Sequence, residues 1–126
     1  MARVLYSAVV LDEASIEIIK EKVVIPKDFL FMAHHCTIVL GELPEDWKGR
    51  IGEEVSLNCD SIGMTDKALA LKVSNFKRLM SGTTHITVAI NEVNGGKPKD
   101  SNLITDWSFK LPTGLILTGT IQEVTS

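Results

Sequence analysis

The chain has 126 residues, 44% of them hydrophobic, and a formal charge of −3. That length fits one domain with a proper core, so residues 1–126 are read as a single unit. No global basic field points to duplex DNA or an acidic membrane surface, so any nucleic-acid ligand should be small and gripped locally.

In chain order, "RVLYSAVVL" (residues 3–11) reads as a strand. "DEASIEIIKEKV" (12–23) follows as the one long helix: Asp12 caps it, Glu13 and Glu17 belong to its first turns, and Ile16, Ile19 and Val23 fall on one face. Pro26 closes that segment, and strand character returns over residues 34–40. "GELPEDWKG" is a loop or a single helical turn. "EEVSLNCDSIGM" and "KALALKVSN" are two strands around a Thr65–Asp66 turn, and "THITVAINEV" is another. "NGGKPKDSN" is a loop, after which Asp100 or Ser101 caps a short helix reaching Trp107. "WSFKL" and "LILTGTIQEV" close the chain as a strand pair around Pro112-Thr113-Gly114. The fold class is therefore α+β: antiparallel strands, as two small sheets or one strongly curved sheet, with one or two outer helices.

Two strands share an unusual pattern. In "HHCTIVL" (34–40), His35, Thr37 and Val39 alternate with Cys36, Ile38 and Leu40, and His34 falls on the second set. In "HITVAI" (85–90), His85 and Thr87 alternate with Ile86, Val88 and Ile90. Successive strand side chains point to opposite faces, so the apolar sets seek the core and each strand presents an imidazole and a hydroxyl on its other face. Threonine also suits strands for its own sake, and two half-exposed H-x-T strands need no chemistry to explain them. Facing each other across a cleft, however, the two imidazoles can divide acid–base work on a phosphodiester. The two hydroxyls can then stabilise its non-bridging oxygens.

These residues resemble the paired H-x-T/S-x motifs of the 2H phosphoesterases. That superfamily includes bacterial RNA 2′,3′-cyclic phosphodiesterases and phage anti-CBASS enzymes that cleave cyclic oligonucleotide signals. "LYSAVVLDEAS", "HHCTI" after Pro26, "ALALKV", "HITVAI" and "GKPKDSN" lie in an order similar to the compact Swiss Army Knife 2H domain, over nearly the whole chain. The resemblance implies a concave cleft lined by the two motif strands, with His35 and His85 as the acid–base pair and Thr37 and Thr87 as phosphate-oxygen donors. It implies a phosphodiesterase that needs no metal or other cofactor. Its substrate would be a small nucleotide phosphodiester, namely a cyclic oligonucleotide, a 2′,3′-cyclic phosphate or an RNA end. A non-catalytic module binding the same ligands, and an interaction protein in which the motifs are accidental, remain alternatives.

Four further residues are substrate-binding candidates. Tyr6 on the first strand offers a ring to stack on a base. Lys97 and Lys99 offer charge to phosphate, and Ser101 stands at the start of a helix whose free N–H groups suit an anion. Trp47 and Trp107 are packing residues. A metal site would have to draw on His34, Cys36 and Cys59, but no C-x-x-C or H-x-x-x-H spacing is present. Phosphate-cradling P-loop, Gly-x-Ser-x-Gly and dinucleotide fingerprints are absent as well. No apolar run has the length of a membrane span and no secretory signal precedes the two cysteines, so a reduced, cytoplasmic setting without a membrane partner is expected. Oligomeric state is left open.

Overall fold

Strand-forming alternation accounts for most of the regular structure in the computed structural model, which describes residues 3–125. The strands are β1 (Val4–Leu11), β2 (Leu30–Phe31), β3 (His35–Leu40), β4 (Glu54–Met64), β5 (Ala68–Val73), β6 (His85–Ile90) and β7 (Phe109–Thr125), with one helix, α1 (Glu13–Lys22). Short 3-10 turns cover Glu45–Arg50, Glu92–Asn94 and Pro98–Leu103.

All strand pairings are antiparallel. The order runs β6-β3-β1-β7-β4-β5, and β5 pairs back onto β6. The α+β chain thus forms one sheet closed into a six-stranded barrel, not two separate sheets. Closure gives each of the six barrel strands a neighbour on both sides, although β3 and β6 meet at a single residue pair. The short β2 joins β6 at Ala89 and Ile90, beyond the point where β3 meets it.

The inward set of each strand fills the barrel. Leu71 faces Ile86, Ile86 faces Cys36, Cys36 faces Val9, and Val9 faces Ile121, which makes a belt of directly opposed residues around it. All five are fully buried, as are Ile38, Leu57, Val88 and Leu117. Full burial of a large aliphatic side chain contributes about 1.5–3 kcal/mol, so this belt is a main source of stability.

Helix α1 starts where the sequence places it. Asp12 accepts a hydrogen bond from the Ser15 N–H at 2.8 Å, Glu13 occupies the first turn, and Lys20 and Lys22 sit in the last. The Ser15 hydroxyl accepts from the Thr118 N–H at 2.7 Å, which fastens the helix to β7. Ile19 and Val23 enter the core cluster, while Ile16 is only partly buried against it.

Two expected elements differ. Pro112-Thr113-Gly114 does not turn a hairpin: β7 runs through it as one bent strand, because both its halves pair with β4 instead of with each other. The register steps from Ser61 opposite Lys110 to Cys59 opposite Leu115, so residues 111–114 form an irregular bulge. The short helix expected to reach Trp107 instead opens at Pro98 and ends at Leu103. Asp100 reaches back to accept from the Lys97 N–H at 2.8 Å. Ile104 and Trp107 then settle over Gly63 of β4, where a Cβ would collide with both. This seat holds the 98–103 turn against β6.

Candidate active site

The closed barrel makes β3 and β6 neighbours, and they touch through one residue pair, Cys36 opposite Ile86. With those two side chains pointing inward, the antiparallel register sets His35 across from Thr87 and Thr37 across from His85 on the outer face. All four are half-buried. Beyond the bridge the strands part, and the β5–β6 connection enters the gap: the Leu79 N–H donates to the Ile38 carbonyl at 2.8 Å. A cavity of about 270 Å³ lies here, lined by His34, His35, Thr37, His85, Thr87, Arg78, Lys99 and Asn102, with Met32, Leu40, Met80 and Pro98 as apolar wall. No carboxylate is among the lining residues, although the chain as a whole is acidic.

Strict alternation misplaces three residues of the first motif. A bulge leaves Ile38 without a partner, since Ala8 pairs with Thr37 and Ser7 with Val39. Past it the faces exchange: Val39 packs on the core, and Leu40 is 70% exposed and lines the cavity. His34 precedes β3, so strand geometry does not turn it away from His35. Their Nδ1 atoms lie 3.2 Å apart, and both rings line the cavity.

The two candidate catalytic rings sit in different surroundings. His35 stacks on Tyr6, with ring centroids 4.7 Å apart at 27°. Burial, reinforced by the positive charge that His34 and His85 can carry, pushes the His35 pKa down from 6.5 to about 4. His85 donates from Nδ1 to the Thr83 carbonyl at 2.8 Å once that nitrogen carries the proton, which leaves Nε2 as its free nitrogen. Burial lowers its pKa as well; the Thr83 carbonyl opposes that shift, and nearby Arg78 adds to it. Trp107 lies tilted beside it, 6.2 Å between centroids.

The remaining sequence candidates divide. Tyr6 does not line the cavity but backs His35. Ser101 is buried and accepts a hydrogen bond from the Thr87 hydroxyl at 2.9 Å, so it touches the second motif from behind. Lys97 is exposed and does not line the cavity, whereas Lys99 does. The sequence reading also missed Arg78 and Asn102. In "NFKRLM" nothing marks Arg78 as the side chain that turns inward while Lys77 stays exposed.

The two cysteines face the interior as free thiols, and burial pushes each up to about 12, which makes them poor ligands and nucleophiles. Among the described residues no three His, Cys, Asp or Glu side chains are grouped to hold a metal ion. No helix of the described residues is long and apolar enough to cross a membrane. Comparisons with protein-family models, curated proteins and solved structures find no match.

Proposed function

We propose that the protein is a metal-independent phosphodiesterase of the two-histidine type, acting on a small nucleotide phosphodiester such as a cyclic oligonucleotide or a 2′,3′-cyclic phosphate. One observation carries this reading. Two H-x-T strands run antiparallel side by side, so that imidazole and hydroxyl alternate around a single cavity whose lining holds no carboxylate.

The unequal surroundings of the rings favour one division of roles. His35, held neutral down to about pH 4, is the general base. With its proton on Nδ1 it donates to His34, which fixes the ring and leaves the Nε2 lone pair to take the proton of the attacking hydroxyl or water. His85, whose Nδ1–H is tied to a carbonyl, is the general acid and donates from Nε2 to the leaving oxygen. Thr37 and Thr87 face the non-bridging oxygens as their charge grows; the Thr87 hydroxyl, which donates to Ser101 in the free protein, turns its proton to the phosphate while the Ser101 hydroxyl donates back to the Thr87 oxygen. A volume of about 270 Å³ suits a phosphate and part of one nucleoside. A small ligand is therefore favoured over a long polyanion held by counterion release.

The test is incubation with cyclic di- and trinucleotides, 2′,3′-cyclic nucleotides and short RNAs, with products read by mass. Turnover of a small cyclic substrate supports the proposal. Thermal stabilisation by these ligands without turnover would select a binding module instead. Activity should be unchanged in excess EDTA; loss in EDTA that zinc or manganese restores would overturn the metal-free mechanism.

The pH dependence follows from the two lowered pKa values. Catalysis needs His35 neutral, above about pH 4, and His85 protonated, below a value that lies under 6.5. The kcat/KM profile, which reports the free enzyme, should be a bell with its maximum between these limits, more acidic than two ordinary imidazoles would give. Stability moves the other way. Between about pH 6.5 and 4 the unfolded chain binds a proton at His35 that the folded chain refuses, so acidification favours unfolding. The contribution is complete above pH 6.5 and is lost as pH falls toward 4. Urea denaturation across this range should show the slope, and His35→Gln should reduce it to the smaller part that His85, also lowered, contributes.

A further inference from the structure

Arg78 is the only charged side chain among the described residues that is buried, at 7% exposure. Its surroundings are unusual for a buried cation. Nη1 donates to the Asn102 side-chain oxygen at 3.1 Å and Nη2 to the Ser81 carbonyl. Nε is buried without any acceptor, and no carboxylate pairs with the group. A buried charge normally carries an ionic partner, because its lost hydration is not recovered from neutral acceptors alone.

The fold nevertheless builds this placement deliberately. The Arg78 N–H donates to the buried Thr84 hydroxyl at 3.0 Å, one residue before His85. Gly82, at φ 94°, lets the loop curl so tightly over the guanidinium that a Cβ there would strike Nη2. Arg78 also lines the cavity with His35 and His85, and the lining contains no negative charge. An arginine with a free N–H, beside a cavity without carboxylates, is complete only when an anion enters.

We propose that Arg78 is the charge-neutralising ligand for a phosphate group seated between the two histidines. Its planar fork makes paired, charge-assisted hydrogen bonds to phosphate oxygens that a lysine cannot reproduce. Asn102 holds the fork in place, and Lys99 adds a second charge at the cavity wall. The inference deepens the phosphodiesterase reading and rests on it for the identity of the anion's owner. It also predicts coupling: Arg78 lies near enough to His85 to depress its pKa, so a bound phosphate should raise that pKa and favour the acid form.

Binding of inorganic phosphate tests this without turnover. Calorimetry should show phosphate binding to the wild type, weakened about 10–100-fold in Arg78→Met and less in Arg78→Lys. In the folded wild type, phosphate should shift the Arg78 Nε–H resonance and raise the His85 pKa, both read by NMR. These signals decide the matter if Arg78→Met fails to fold. Absence of phosphate binding, equal binding by Arg78→Met, or an Nε–H resonance that ignores bound phosphate would each overturn the proposal. Phosphate bound through Arg78 with no turnover of any substrate would sink the enzyme reading and leave this one standing. Turnover at the wild-type rate in Arg78→Met would do the reverse.

Discussion

Replacing His35 or His85 with alanine should lower turnover of a responsive small cyclic substrate by about two to four orders of magnitude, the usual contribution of one acid–base group. Both side chains stand on the outer face of the barrel, half-buried, while their neighbours Cys36 and Ile86 carry the interior packing. The variants should therefore keep the native fold, which near-ultraviolet circular dichroism would verify. The double variant should be scarcely worse than either single one, because a base without its acid leaves the same unassisted step. Thr37→Val and Thr87→Val should cost less, since each removes one of several donors to the phosphate. Near-normal turnover by a folded His35→Ala protein would remove the base from the proposed mechanism. The same result for His85→Ala would remove the acid.

The second motif was legible for a simple reason. "HITVAI" has no irregularity at its start, so the period of two correctly separates Ile86 and Val88, fully buried, from half-buried His85 and Thr87. The first motif breaks that rule in its middle. A bulge at Ile38 is set by how β1 pairs with β3, which is a tertiary fact, and it carried Val39 inward and Leu40 outward against their local pattern. His34 was misplaced because the strand begins one residue later than the alternation suggests. Closure of the barrel was equally hidden. It depends on β5 pairing with β6 while β7 spans both β1 and β4, and no local pattern in the chain encodes a non-local pairing. The cationic side of the cavity was legible only in part: of the two loop lysines Lys99 lines it and Lys97 does not, while Arg78, drawn in by Thr84, Ser81 and Asn102, was invisible for the same cause.

Ile86→Ala should be the most damaging of the substitutions considered for stability. Ile86 is fully buried and sits in the belt between Leu71 on one side and Cys36 on the other. Truncating such a residue removes its transfer free energy and leaves a cavity that a closed barrel, with neighbours fixed on both sides, collapses poorly; the cost is about 2–5 kcal/mol. For a chain of 126 residues that corresponds to a fall in Tm of roughly 8–20 °C. Ile116→Ala offers the control, since that side chain is 68% exposed on β7 and its loss should stay within about 0.5 kcal/mol. The functional consequence should exceed the thermal one. The Cys36–Ile86 pair is the one direct bridge between the two motif strands, and it lies between the positions where His35 faces Thr87 and Thr37 faces His85. Loosening it lets the two halves of the site drift, and misplacement by about 1 Å can cost roughly a hundredfold in rate. Folded Ile86→Ala protein, assayed well below its Tm, should therefore lose kcat, whereas Ile116→Ala should not. Equal activity in the two variants would mean that the register between β3 and β6 is held by something other than their shared interior contact.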